Sequence, residues 1–168
     1  MKNRLVAPLL RVPVFAGLRP LQIAEIAHHA ERVKFEAGQT ITAAGAPGDG
    51  AYLIVSGAAE CVASACADVG EPVVPGSLVG EMAMLVEHDY RETVVARDRV
   101  LALKVTRQAL HAQMLDDPAL ARHFEAHLHK RLARVAQDLR AIDDILLEAC
   151  GSNTSQPDMQ KEPTAAAN

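Results

Sequence analysis

Apolar positions along the chain change their spacing twice. Over residues 5–30 they recur with a helical period: Leu21, Ile23, Ile26 and Ala27 follow Pro20, whose missing N–H suits a first helical turn. From Glu31 to Val105 the period shortens to runs of apolar and β-branched residues punctuated by glycine, among them RVKFEAG, AYLIVSGAAECVA, EPVVPGSLVG, RETVVARD and RVLALKV. Strands at such regular spacing predict a sandwich or a rolled barrel. Gly45-Ala-Pro-Gly-Asp-Gly50 carries the dipeptides of a tight turn, and Glu81 to Val86 reads as a short helical interruption. From Thr106 the helical pattern returns and runs to about Cys150, with Asp117 as a cap and Pro118 in the first turn. Such a helix would be about 45–50 Å long, more than covering one pocket requires. The predicted organisation is a helical segment over 1–30, a strand region over 31–106 and C-terminal helices over 107–149, which serve as a lid and for dimerisation. The tail, 151–168, is polar with two prolines and is expected to be disordered.

A chain of 168 residues fits one domain plus that tail. Apolar residues make up 49% but aromatics only 3%, so the core must be built from Val, Leu, Ile, Ala and Met. The formal charge of −4 supplies no field that would draw the chain onto nucleic acid or an anionic membrane, and neither is an expected partner. Pro8 and Arg11 interrupt the first apolar run, which is too short for a signal peptide. No stretch approaches the roughly 18–20 apolar residues of a membrane span. Cys61, Cys66 and Cys150 are odd in number and lack zinc-like spacing, which predicts reduced thiols and a cytoplasmic location.

Candidate chemistry concentrates in VGEMAMLVEHDYRETVVA, residues 79–96. Glycine just before a short helical turn lets unpaired backbone N–H groups converge on an anion. An arginine from Arg91 would add a fork of donors and a fixed positive charge. Glu81, an acceptor-only carboxylate, suits a sugar hydroxyl instead. Phosphate plus ribose points to a nucleotide.

The run Gly80-Glu81-Met82-Ala83-Met84-Leu85 followed by Arg91 resembles the phosphate-binding cassette of cyclic nucleotide-binding domains. Upstream, Gly45-x-x-Gly-Asp49-x-x-Tyr52-x-Ile54-Val55-x-Gly57 is similar to the glycine-bounded turn and strand of the same family, and Val12-Pro-Val-Phe15-x-x-Leu18 to its opening helical segment. The resemblance spans about Leu9 to Leu146. It implies an α+β fold, an eight-stranded antiparallel β-roll of jelly-roll type flanked by N-terminal helices and a long C-terminal helix. It also implies cyclic AMP or cyclic GMP as ligand, with no further cofactor. By position, Glu81 would hold the ribose 2′-hydroxyl, the amides of Met82 and Ala83 the cyclic phosphate, and Arg91 its charge. Val79, Gly80, Glu92 and Thr93 would complete the lining. On the C-terminal helix Arg131 would cap the base, with Leu128 and Leu132 nearby.

One departure stands out. Family members generally place a small residue after the arginine, and this chain has Glu92, then Thr93. A carboxylate about 6 Å from the phosphate repels it by about 3 kcal/mol at an effective dielectric near 20, while Arg91 at about 4 Å returns about 4 kcal/mol. The arginine wins, and binding weakened by one or two decades or shifted in specificity is expected. Cyclic GMP selectivity often uses a hydroxyl directly after the arginine, where Glu92 stands, so cyclic AMP is favoured.

Other features carry less. His123 and His127 are spaced i, i+4 but lack a completing ligand, so a solvated pair is expected and no metal site. A cupin-type metalloenzyme would need histidines within the strands, where only His88 occurs, read as lying in a loop. Three scattered cysteines fall short of an iron–sulfur set. Leu128, Leu132, Val135, Leu139, Ile142 and Leu146 follow a 4-3-4-3-4 spacing, an a/d seam that predicts a parallel homodimer. The expected function is a non-enzymatic cyclic nucleotide sensor acting on an effector protein in trans. Its rivals are a degenerate β-roll interaction module that binds no nucleotide and a truncated transcription regulator of the catabolite activator type. Polar residues 151–168, where such regulators carry a helix-turn-helix, argue against direct DNA control.

Overall fold

The computed structural model describes residues 7–64 and 70–151. A helical turn over residues 7–9 and a 3-10 turn at Pro13–Phe15 lead into helix α1 (Pro20–His29). Pro20 sits in the first turn of α1, and Gln22 Oε1 accepts the Arg19 backbone N–H at 2.9 Å. Ten strands follow among the described residues: β1 (Glu31–Phe35), β2 (Thr40–Thr42), β3 (Pro47–Gly48), β4 (Gly50–Ser56), β5 (Ala59–Ser64), β6 (Pro72–Val73), β7 (Leu78–Val79), β8 (His88–Asp89), β9 (Glu92–Ala96) and β10 (Val100–Thr106). Helix α2 (Glu81–Leu85) interrupts them, and α3 (Arg107–Asp116) and α4 (Pro118–Gly151) close the described chain.

Two four-stranded antiparallel sheets, ordered β1-β10-β4-β7 and β2-β9-β5-β6, form the roll, and β3 and β8 make a separate two-stranded ribbon. The eight-stranded roll expected from the sequence is therefore present, with the ribbon added. The sheets face each other across one apolar cluster: Ile54, Val79, Val100 and Ala102 from the first meet Ile41, Ala59, Val94 and Ala96 from the second. Strands β4 and β10 are buried on both faces, which is why AYLIV and VLALKV read as nearly continuous apolar runs. Their other face, with Ala51, Leu53, Leu103 and Val105, is buried, as are Val14, Phe15, Ile23, Ile26, Leu110, Leu120 and Phe124 of the helices. The Phe15 and Phe124 rings meet edge to face at 6.3 Å.

The α3–α4 junction is fastened by Asp117. Its Oδ1 accepts the backbone N–H groups of Ala119 and Leu120 at 2.9 and 3.2 Å, capping α4 as its position before Pro118 predicts. Its Oδ2 accepts from Gln22 at 2.7 Å and Arg19 at 3.2 Å. The Gln22 bond, foremost, holds the Asp117 carboxyl below the usual range.

The chain divides into two compact units, up to His127 and from Leu128 onward. In the second unit, Leu132, Val135, Leu139, Ile142 and Leu146 on α4 are each about half exposed or more. Among the described residues no helix is long and apolar enough to cross a membrane. Cys61 is buried in β5, Cys66 lies outside the described residues, and His88, read as a loop residue, pairs with Gly48 in β8. The tail expected to be disordered lies, beyond Gly151, outside the described residues.

Candidate functional site

The cassette begins where β7 ends. Val79 is buried in the roll and pairs with Tyr52, and Gly80 then turns the chain with φ 77° and ψ 29°. That left-handed conformation strains any residue with a Cβ, and a Cβ here would also come within 2.7 Å of the Tyr90 ring. Glu81 follows as the first residue of α2, where a carboxylate is favoured by the helix dipole. Met82 is half-buried, and Ala83 is buried. The Ala83 amide N–H donates to the Gly80 carbonyl at 3.0 Å, so this donor is already engaged within the turn.

A helix of five residues has little stability of its own. Helix α3 supplies what it lacks. Arg107 Nη1 donates toward the carbonyls of Gly48, Ala83 and Val86 at 2.9, 3.1 and 3.1 Å. His111 Nε2 lies 2.7 Å from the Leu85 carbonyl and so donates there. The carbonyls that a helix end leaves unpaired are thus met by side chains one turn apart on α3.

The glycine-rich turn also packs against α2. Any Cβ on Gly48 would overlap the Ala83 methyl and come within 2.7 Å of the His88 carbonyl oxygen. Next to it, Asp49 Oδ2 pairs with Lys104 Nζ at 2.6 Å, and the Tyr90 hydroxyl reaches Asp49 Oδ1 at 3.3 Å and the Gly50 carbonyl at 3.0 Å. The Lys104 hydrogen bond holds the Asp49 carboxyl below its ordinary range. Burial draws the Lys104 ammonium down, but Asp49 outweighs it and the net shift is upward. Burial pushes the Tyr90 phenol far above its usual value.

Arg91 follows Tyr90, whose backbone is clamped to the turn by Tyr90 N–H to Ala46 O at 2.9 Å and Gly45 N–H to Tyr90 O at 2.8 Å. Its side chain is exposed. Glu92 opens β9, and strand alternation sets it on the face of Val94 and Ala96, which line the roll interior. Its carbonyl accepts from Thr42 Oγ1 at 2.9 Å. Thr93 falls on the opposite face and accepts the Ala44 amide at 2.9 Å. The β3–β8 ribbon, the β4–β7 pairing and Tyr90 therefore join residues 79–93 to the 45–57 turn. Leu128, half-buried, and Arg131, exposed, belong to the second unit of the chain.

The histidines depart from expectation. His123 and His127 are not a solvated pair: His123 Nε2 lies 2.8 Å from the Val14 carbonyl, and His127 Nε2 lies 2.9 Å from Glu81 Oε1. His127 and Glu81 side chains are 27% and 25% exposed, enough shelter to make this contact part of the site. Helical spacing alone told which histidines share a face but not what that face meets. Arg107, His111, Lys104 and Tyr90 were also missed, because their roles depend on contacts more than twenty residues away. The arrangement offers, within residues 80–91, the N-terminal end of a helix, a carboxylate and an exposed arginine, with the His127 imidazole brought to the carboxylate from 46 positions away.

A family model described as "Cyclic nucleotide-binding domain" matches residues 32–117. The chain is 37% identical over 102 residues to a cAMP-dependent protein kinase regulatory subunit of Aspergillus fumigatus, covering 59% of this chain and 24% of that protein. It is 27% identical over 135 residues to a CRP-like cAMP-activated global transcriptional regulator of Mycobacterium tuberculosis, covering 78% of this chain and 60% of that one. The chain thus spans about a quarter of the kinase regulatory subunit's length. Among solved structures, the N-terminal domain of a transcriptional regulator from Streptomyces coelicolor superimposes with a TM-score of 0.70 at 24% identity, over 79% of this chain and 94% of that one.

Proposed function

Because the chain belongs to the cyclic nucleotide-binding domain family, we propose that it is a non-enzymatic sensor of cyclic AMP, in preference to cyclic GMP. Glu81 receives the ribose 2′-hydroxyl, the first amides of α2 at Met82 and Ala83 and the Arg91 guanidinium receive the cyclic phosphate, and Val79, Gly80 and Glu92 complete the lining, while Thr93, on the opposite face of β9, supports the site by holding the Ala44 amide. For the Ala83 amide to contribute, its bond to Gly80 must be shared or released. The observation that carries this reading is the head of α2: a left-handed Gly80 followed by a sheltered Glu81 carboxylate whose partner is an imidazole of α4. A carboxylate so placed repels a phosphate but accepts from a hydroxyl.

Signalling follows from the same contact. The ribose hydroxyl arrives at a carboxylate that already holds His127, so occupancy redistributes the Glu81 hydrogen bonds and with them the tether on α4. A ligand shifts an equilibrium only by its differential affinity for the two states. The family resemblance nominates Leu128, next to His127 on α4, and Arg131, one turn further along, as the residues that supply that difference. The exposed a/d seam from Leu132 to Leu146 pairs with a second copy of the chain. The dimer acts in the cytoplasm on an effector protein in trans.

Calorimetric titration of nucleotide-stripped protein with cyclic AMP and cyclic GMP tests the proposal. Saturable micromolar binding, tighter for cyclic AMP, is expected. A folded protein silent to both would overturn it and leave the roll as an interaction module.

A further inference from the structure

Three side chains near the C-terminal end of α1 take no part in the cassette. Glu25, His28 and His29 each offer one ligand atom, and these atoms lie within 4.8 Å of one another. Spacings of i+3 and i+4 make His28 and His29 each a surface neighbour of Glu25. All are exposed, so side-chain rotation can close the set to the about 2.0–2.2 Å that imidazole and carboxylate ligands adopt around zinc.

His29 is already arranged for ligation. Its Nδ1 lies 3.0 Å from the Glu25 carbonyl oxygen. That oxygen can only accept, so Nδ1 is the donor in this bond and Nε2 is the nitrogen left for a metal ion. A backbone carbonyl holding the second nitrogen is the device that sets tautomer and ring orientation in metal-bound histidines. The His28 ring stands beside it, centroid to centroid 5.1 Å away.

The local field favours a cation. His28 and His29 occupy the last turn of α1, where the helix carbonyls concentrate negative charge. Glu25 and His29 also line a cleft of about 290 Å³ together with Asp116 and Asp117. Arg19 lines the same cleft, but its guanidinium is drawn to Asp117 at 3.2 Å. Two imidazoles and one carboxylate suit zinc, nickel or copper, whereas magnesium and calcium require shells made mainly of oxygen. Three protein donors leave a tetrahedral ion one open position.

We infer that Glu25, His28 and His29 form a binding site for a divalent transition-metal ion, with water or a donor from a second molecule in the open position.

The test is a zinc titration of the tag-free full chain by calorimetry near neutral pH, paired with cobalt absorption spectra. One equivalent is expected to bind in the micromolar range, with cobalt d–d bands and no thiolate charge-transfer band. His29→Ala and Glu25→Gln are each expected to weaken binding, and His28→Ala/His29→Ala to abolish it. Circular dichroism checks that these exposed substitutions leave the fold intact. Equal binding by wild type and the double variant, a thiolate band, or no wild-type binding below millimolar zinc would each overturn the site.

Discussion

Replacing Arg107 by methionine removes the guanidinium and keeps most of the apolar stem. The lost group reaches three carbonyls, on Gly48, Ala83 and Val86, at 2.9–3.1 Å. Two of them belong to α2 and its C-cap, and the third to the turn against which α2 packs. One nitrogen carries two protons, so three acceptors share them and the bonds do not sum to three full ones. A hydrogen bond to a charged donor contributes about 1.5–3 kcal/mol net, and a carbonyl left unpaired in a sheltered place costs about 1–3 kcal/mol. Partial exposure lets water replace some of this, so the expected loss of stability is about 2–4 kcal/mol. Urea unfolding at unchanged m measures it as a shift in midpoint. Arg107→Lys, a point charge without the fork, is expected to fall between the two. Because α2 also forms the candidate phosphate cradle, cyclic AMP affinity should fall in parallel. A stability change within about 0.5 kcal/mol, the range of ordinary surface substitutions, would show that α2 does not depend on α3.

Three further outcomes are expected. Arg91→Ala should cost about 2–5 kcal/mol of cyclic AMP binding by calorimetry; unchanged affinity would remove Arg91 from the phosphate. Glu92→Ala should tighten binding by about one to two decades, because strand alternation sets Glu92 on the face of Val94 and Ala96 and a carboxylate there would repel the phosphate; no gain would mean the charge is directed away. The Asp49 and Asp117 carboxyls are held below their ordinary value of 3.8 in the folded chain. Their contribution is therefore complete above that value and disappears as pH falls through the depressed folded values. Stability should decline on acidification below about pH 4, and Asp49→Asn should make the decline shallower, as read by thermal unfolding across pH.

Much of this fold is legible locally. Pro20 and the Asp117-Pro118 pair mark helix starts through backbone chemistry that needs no tertiary partner, and both helices begin there. The doubly buried strands announce themselves as apolar runs, and the short helix read over Glu81 to Val86 ends one residue earlier, at Leu85, with Val86 as its cap. The cassette and the Gly45–Gly57 turn are contiguous motifs and could be found one at a time. What binds them into one site could not. Arg107 meets Gly48 across 59 positions, Lys104 meets Asp49 across 55, and His127 meets Glu81 across 46. A sequence lists those residues as an arginine at a helix start, a lysine in a strand and a histidine on a helix, each ordinary on a surface. His127 shows the limit most clearly: periodicity placed it on a face with His123, and only the packed fold turns that face toward Val14 and Glu81.

The most direct test of the central claim is an experimental structure of the chain with cyclic AMP bound. The account predicts the cyclic phosphate against the first turn of α2 and the Arg91 guanidinium, with the ribose 2′-hydroxyl on the Glu81 carboxylate that His127 now holds. Cyclic AMP bound elsewhere on the roll, or in the roll with Arg91 and Glu81 away from phosphate and ribose, would contradict it.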